Sequence, residues 1–212
     1  EKYYNEYKQL NKAVNTIQAQ FIWNKIIKSQ IETGVPYIVF KDSVNNKSNQ
    51  KNIGIIKNSN LCVEILEYSD HTEYAVCTLA SISLPSCVNM NDPLNITFNF
   101  QLLEQICNVV VKNLNKIIDI NYYPVPETEL SNKKHRPIGI GVQGLADVYA
   151  MMNLNFDSIE ALELNKLIFE TIYWASINSS MELSKINGPY STFINSPISN
   201  GLFQFDLWNV TP

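Results

Sequence analysis

Two long stretches of helical periodicity, separated and flanked by short apolar runs, restrict this chain more than any other feature. From Phe98 to Ile120, Leu102, Leu103, Ile106, Val109, Val110, Leu114, Ile117 and Ile118 recur at the spacing of one broad helical face. Ser158 to Asn187 repeats the pattern with Leu162, Leu164, Leu167, Ile168, Ile172, Tyr173 and Trp174, and Gly188-Pro189 supplies a stop. The short runs are P-Y-I-V-F at 36–40, Y-A-V-C-T-L-A-S-I-S-L at 74–84 and I-G-I-G-V at 138–142, each rich enough in β-branched or aromatic residues to read as a buried strand. Strands alternating with helices predict an α/β fold with a parallel sheet, although three strands cannot close a barrel. A further helix is expected over residues 1 to about 30, with Ile17, Phe21, Ile22, Trp23, Ile26 and Ile27 as its core face and Gly34 at its end. The polar run 42–52 is expected as a loop, as is 121–137 with Pro124, Pro126 and Pro137; its cluster Lys133, Lys134, His135 and Arg136 then reads as solvated. The tail from Pro189 to Pro212 reads as loop.

Chemistry concentrates in S-N-L-C-V-E-I-L-E, residues 59–67. In an extended segment Asn60, Cys62 and Glu64 share one side and Leu61, Val63 and Ile65 the other, with same-side neighbours about 7 Å apart. An amide, a thiol and a carboxylate at that spacing suit a ligand the size of a sugar ring. The plainer reading makes Cys62 a small buried hydrophobe, the commoner role of a free cysteine, and Asn60 and Glu64 a solvated strand edge. The other cysteines are Cys77, Cys87 and Cys107; without a C-x-x-C pair, and with only His71 and His135 available, no metal site is expected. Gly139, Gly141 and Gly144 spell G-x-G-x-x-G, but no acidic residue ends a second strand about 20 positions on, so a dinucleotide site is set aside. Sixteen Lys and Arg against 20 Asp and Glu, a net charge of −4, offer nucleic acid and anionic membranes no general attraction. No apolar run approaches the roughly 18 residues of a membrane span, and the expected location is cytoplasmic.

Six segments in order resemble the large, catalytic subunit of class I ribonucleoside-diphosphate reductases. They are T-G-V-P-Y at 33–37, K-D-S-V-N-N-K-S-N-Q at 41–50, S-N-L-C-V-E-I at 59–65, A-V-C-T-L-A-S at 75–81, H-R-P-I-G-I-G-V-Q-G-L-A-D at 135–147 and D-L-W-N-V-T-P at 206–212. The adenosylcobalamin-dependent relatives share a radical cysteine but fit these flanks less well. The resemblance implies that residues 1–212 are the central part of a ten-stranded α/β barrel, incomplete at both ends, with a central finger loop carrying the radical cysteine. The 59–67 stretch would then be extended loop rather than strand.

By that resemblance Cys62 is the thiyl radical that abstracts the 3′ hydrogen of the ribose. Glu64 accepts the 3′ hydroxyl proton, its pKa raised if it is kept from water. Asn60 holds the ribose hydroxyls, and Asn60, Leu61 and Glu64 contact the substrate. Cys77 becomes one half of the redox disulfide, its partner lying outside this chain; Cys87 and Cys107 are core residues. Val63 departs from the family's common Thr, which the alternation tolerates by facing it away from substrate. The implied partners are a ribonucleoside diphosphate, a metal-containing small subunit that supplies the radical, thioredoxin or glutaredoxin as electron source, a second large subunit, and the remaining large-subunit segments. Nucleoside triphosphate effectors bind elsewhere, and the chain itself holds no cofactor. The competing expectation is a catalytically inactive fragment or interaction piece of a split or decayed reductase.

Overall fold

Hydrogen-bonding side chains start both long helices in the computed structural model, which describes residues 2–211. Asn99 Oδ1 accepts from Leu102 N–H at 2.9 Å, and Ser158 Oγ from Ala161 N–H at 3.1 Å, so each satisfies an amide that has no partner in the first helical turn. The described residues fall into two units that divide at Phe40 and Lys41. The expectations placed on Glu1 and Pro212 lie outside the described residues.

In the first unit, helix α1 (Lys2–Gln9) and helix α2 (Ala19–Thr33) replace the single expected helix. Asn11 adopts a left-handed conformation, φ +53°, just after α1; asparagine tolerates this region, so the break carries no Gly or Pro signature. Gly34, φ +77°, ends α2 as expected, its N–H donating to the Gln30 carbonyl at 2.9 Å. The expected core face of α2 is a correction: none of its residues is buried, because two short helices within this unit offer no facing layer. Residues 36–40 are not a strand either. They have no ladder partner, and instead Ser29 Oγ and Gln30 Nε2 donate to the carbonyls of Val35 and Pro36, both at 2.8 Å.

The second unit begins with a short helix, α3 (Lys41–Lys47), where a loop was expected. Strand β1 (Leu79–Ser83) continues through a 3-10 turn (Leu84–Cys87) into strand β2 (Val88–Asn89), which pairs antiparallel with β3 (Thr97–Phe98). Helix α4 (Phe100–Ile120) and helix α5 (Pro126–His135) then carry the chain to β4 (Gly139–Gln143), which lies parallel to β1 with Leu79 opposite Gly139 and Ser83 opposite Gln143. This β-α-α-β unit confirms the α/β class. Among the described residues both sheets are two-stranded and close no barrel.

The 74–84 run supplies a ladder only from Leu79, so Cys77 precedes the strand instead of lying within it. At β4 the G-x-G-x-x-G glycines serve the strand and its exit. Gly144 turns the chain at φ +77°, where a Cβ would stand 2.6 Å from Pro85 Cδ, and helix α6 (Leu145–Met151) follows.

Helix α7 (Ile159–Asn187) packs on α4. Leu103 and Cys107 of α4 join Ala161, Leu164, Ile168, Ile172 and Ala175 of α7 in one core that also takes Ile82, Leu84, Cys87 and Val148, while Val111, Leu114 and Ile118 are buried further along α4. Of the residues the periodicity singled out, Leu103, Leu114, Ile118, Leu164, Ile168 and Ile172 are buried, whereas Val109, Ile117, Leu162, Leu167 and Trp174 are exposed, so the buried stripe is narrower than the expected apolar face. Cys87 and Cys107, 1% and 0% exposed, are core residues as expected.

The prolines of 121–137 bracket a helix. Pro126 is the first residue of α5, where its missing N–H costs nothing, and Pro137 follows the left-handed residue Arg136, φ +49°, that ends it. Glu127 and Glu129 lie in the first turn and Lys133 and Lys134 in the last, each sign complementing the helix dipole. A short helix α8 (Gln204–Leu207) lies near the end of the described chain, within the expected loop.

Candidate functional site

Asn60 organises the 59–67 stretch. Its backbone carbonyl accepts from Val63 N–H at 3.3 Å, closing a turn over Leu61 and Cys62, and its side-chain Oδ1 accepts from Ile65 N–H at 3.1 Å. An asparagine side chain that captures a backbone amide ahead of it is a turn former, not a strand residue. Val63 takes φ +71°, a left-handed conformation that is costly for a β-branched side chain. The alternation that placed Asn60, Cys62 and Glu64 on one side, and turned Val63 away, therefore does not apply here.

Cys62 and Glu64 are both exposed, and Leu61 is 90% exposed, so the inert-core reading of Cys62 fails. No residue of 59–67 lies in a strand, and residues 60–63 turn instead of running extended.

Two side-chain amides outside the stretch pin its ends. Asn45 of α3 accepts from Ile56 N–H at 2.8 Å and donates to the Ile56 carbonyl at 3.0 Å, imitating a strand partner for one residue. Gln50 Oε1 accepts from Tyr68 N–H at 2.7 Å. Ile56 and Ile65, 3% and 6% exposed, anchor the apolar side. The polar run 41–52 thus holds the cysteine-bearing stretch at both shoulders. Its density of amides was the signal, legible only once Ile56 and Tyr68 were in place.

The carboxylate that burial acts on is Glu67, three residues beyond Glu64. Desolvation pushes its pKa up to about 7, and Glu67 Oε2 is buried with no hydrogen-bond partner among the described residues. The raised pKa expected of a buried carboxylate in this stretch belongs to Glu67, while Glu64 remains exposed.

Cys77 is exposed, and its thiol pKa is pushed up, first by desolvation and then by the charges of Glu64 and Glu67, with Cys62 a further neighbour. The fold therefore brings Cys62, Glu64, Glu67 and Cys77 into one electrostatic neighbourhood. Asn60 shares the turn with Cys62, but its carboxamide oxygen is committed to Ile65.

The basic cluster expected to be solvated divides: Lys133 stays exposed and pairs with Glu129, whereas Lys134 reaches the buried Glu73 and His135 is itself buried. His135 is 5% exposed; its Nε2 lies 3.1 Å from Glu73 Oε2 and its Nδ1 3.0 Å from Thr192 Oγ1. Glu73 is 3% exposed and also accepts from Lys134 Nζ at 3.0 Å. Desolvation lowers the His135 pKa against the pull of Glu73, so the ring is neutral at pH 7. A neutral ring satisfies both contacts when Nε2–H donates to Glu73 and Nδ1 accepts from the Thr192 hydroxyl, a tautomer assigned from its partners. Arg136 donates to Asn115 at 2.8–3.0 Å and to both oxygens of Asp119 at 2.7 and 2.9 Å.

Among the described residues no three His, Cys, Asp or Glu side chains converge as metal ligands, and no helix is long and apolar enough to cross a membrane.

The profile of the family described as "Ribonucleotide reductase, barrel domain" matches residues 1–212. Over 212 residues, all of this chain, the sequence is 55% identical to the ribonucleoside-diphosphate reductase large subunit of Danio rerio and 54% identical to that of Variola virus, covering 26% and 27% of those proteins. It is 53% identical over 213 residues to the ribonucleoside-diphosphate reductase large chain 2 of Saccharomyces cerevisiae, covering 24% of it. The chain thus spans about a quarter of the length of the curated relatives it matches.

Proposed function

Because the chain belongs to the ribonucleotide reductase barrel-domain family, we propose that it carries the radical cysteine and one reducing cysteine of a ribonucleoside-diphosphate reductase large subunit. Cys62, as a thiyl radical, takes the 3′ hydrogen atom of the ribose. Glu64 accepts the 3′ hydroxyl proton, and Asn60 and Leu61 contact the sugar. The 2′ hydroxyl leaves as water, and Cys77 with a second cysteine supplies two electrons and two protons and becomes a disulfide. The balance is one ribonucleotide and two thiols in, one deoxyribonucleotide, one water and one disulfide out.

In this reading 59–67 is the finger loop of a ten-stranded barrel to which residues 1–212 contribute the central part. A metal-containing small subunit supplies the radical, thioredoxin or glutaredoxin returns the electrons, and triphosphate effectors act elsewhere on a dimer of large subunits in the cytoplasm.

The observation that carries the reading is the exposure of Cys62 at the Asn60–Val63 turn, with Glu64 and Cys77 in its neighbourhood. An inert cysteine needs no exposed turn on a conformationally costly backbone.

The test is product analysis in a large subunit carrying this segment, assembled with its small subunit. Cys62→Ser abolishes hydrogen abstraction, because a hydroxyl is far harder to oxidise to a radical than a thiol, and no nucleotide is consumed. Cys77→Ser leaves the abstraction possible and blocks the later reduction, so base is released without deoxynucleotide. Turnover by Cys62→Ser, or a fully silent Cys77→Ser, would overturn these roles.

A further inference from the structure

Helix α5 is unusual in what it buries. Thr128, Ser131, Asn132 and His135 are the residues it turns inward, all at most 6% exposed, at the spacing of three and four that normally marks an apolar face. A polar face of this kind gains little from the hydrophobic effect. Its hydrogen bonds specify one register and one partner instead.

Two of these side chains, Asn132 and His135, together with the Glu127 carbonyl and Lys134, reach residues 73–78. At the helix start, the Glu127 carbonyl accepts from Tyr74 N–H at 3.2 Å. One turn before its end, Asn132 Nδ2 donates to Thr78 Oγ1 at 3.0 Å and to Tyr123 OH at 3.1 Å, and the tyrosine hydroxyl in turn donates to the Ile118 carbonyl at 2.7 Å. In the last turn, His135 Nε2–H and Lys134 Nζ both meet the Glu73 carboxylate. Thr192 holds the far side of the His135 ring. Within residues 73–78 the fixed points are Glu73 and Tyr74, four and three positions before Cys77, and Thr78 immediately after it. The thiol itself is left exposed between them.

We infer that Asn132 and His135 are positioning residues for Cys77, gripping the chain on both sides of it so that its thiol stands at a set place beside Cys62 and Glu64. The inference rests on the reading of Cys77 as a reducing thiol. Asn132 grips from the C-terminal side through Thr78, and His135 from the N-terminal side through Glu73. Neither touches the cysteine. Both bonds are made to side chains that are themselves buried, so the grip is held away from water, where a broken hydrogen bond is not replaced.

The test reads the environment of Cys77 in the full chain without requiring turnover. Alkylation of each exposed cysteine by iodoacetamide is followed by mass spectrometry as a function of pH, since the thiolate is the reacting species. The groups that face Cys77 are Glu64, Glu67 and Cys62, and the surroundings hold its thiolate back. Thr78→Val keeps the shape of the side chain and removes the hydroxyl that Asn132 grips. Its alkylation midpoint at Cys77 is expected to move to lower pH, with a several-fold faster reaction at pH 8, while Cys62 in the same sample keeps its profile. Asn132→Leu and His135→Phe are expected to do the same, and Thr78→Ser, which retains the hydroxyl, is expected to keep the unaltered midpoint.

A folded Thr78→Val chain with an unchanged Cys77 profile overturns the inference, and so does an equal shift at Cys62, which would report general loosening. Thr78→Val decides alone if the larger changes prevent folding. The product analysis of Cys77→Ser fails or succeeds independently of this profile, so an error about the grip is distinguishable from an error about the role of the cysteine.

Discussion

Glu67 carries the cost that burial imposes on a carboxylate, and it does so without a hydrogen bond to its Oε2 among the described residues. Its pKa rises from an ordinary 4.5 to about 7, so the protonated form favours the folded state. That contribution is fully present below pH 4.5 and is lost as pH rises through 7. Glu67→Gln, which cannot ionise, is expected to match the original chain in urea unfolding near pH 4.5. At pH 8 it should be more stable, by at most about 3 kcal/mol. A stability difference independent of pH would show that the carboxyl is solvated. The same residue illustrates what a linear reading misses: Glu64 and Glu67 are indistinguishable as letters, and only the fold leaves Glu64 exposed while the half-buried Glu67 is desolvated.

Helix α5 shows the corresponding effect for a whole element. Its prolines read as breakers, yet one stands at the first position, where no amide is missed, and another stands beyond the last turn. Because its inward face is polar, its docking depends on protonation as an apolar helix would not. His135 is held neutral, its pKa below the ordinary 6.5 through desolvation. The unfolded helix therefore takes up a proton at a higher pH than the docked helix does, and the stability of docking, present above pH 6.5, is lost as pH falls below it. Amide exchange, corrected for its intrinsic pH dependence, should show the opening free energy of residues 127–135 decreasing from pH 7 to pH 5, with α4 and α7 less affected. His135→Gln should remove that slope. A slope retained in the variant would place the titrating group elsewhere. Because Glu67 and His135 act in opposite directions with pH, a local measurement separates them where a global one would average them.

For the molecule as a whole, the supply of thiols bounds what these 212 residues can do. Beyond Cys62 and Cys77 the chain has only Cys87 and Cys107, which are 1% and 0% exposed in the core. On the roles proposed above, in which Cys62 serves as the radical, no other exposed thiol among the described residues is left to close a disulfide with Cys77. Residues 1–212, assayed with a cognate small subunit and a dithiol, are therefore expected to yield no deoxynucleotide; measurable product would refute the two-cysteine requirement. The sequence by itself determined the α/β class, the long helices α4 and α7, a strand expected at 138–142 and found at Gly139–Gln143, and the six ordered motifs, because local periodicity and direct residue identity carry these. It also singled out Asn60, Cys62, Glu64 and Cys77. Tertiary structure alone decided that 36–40 lacks a strand partner, that residues 60–63 form a turn instead of alternating, and that Cys77 stands before its strand. It also decided that Lys134 and His135 face a buried Glu73, and that Glu67 is the desolvated acid. Apart from the 60–63 turn, which the local bonds of Asn60 close, the physical reason is shared: a ladder, a buried charge and a shifted pKa are properties of two segments in contact, and Glu73 and His135 lie 62 residues apart in the chain.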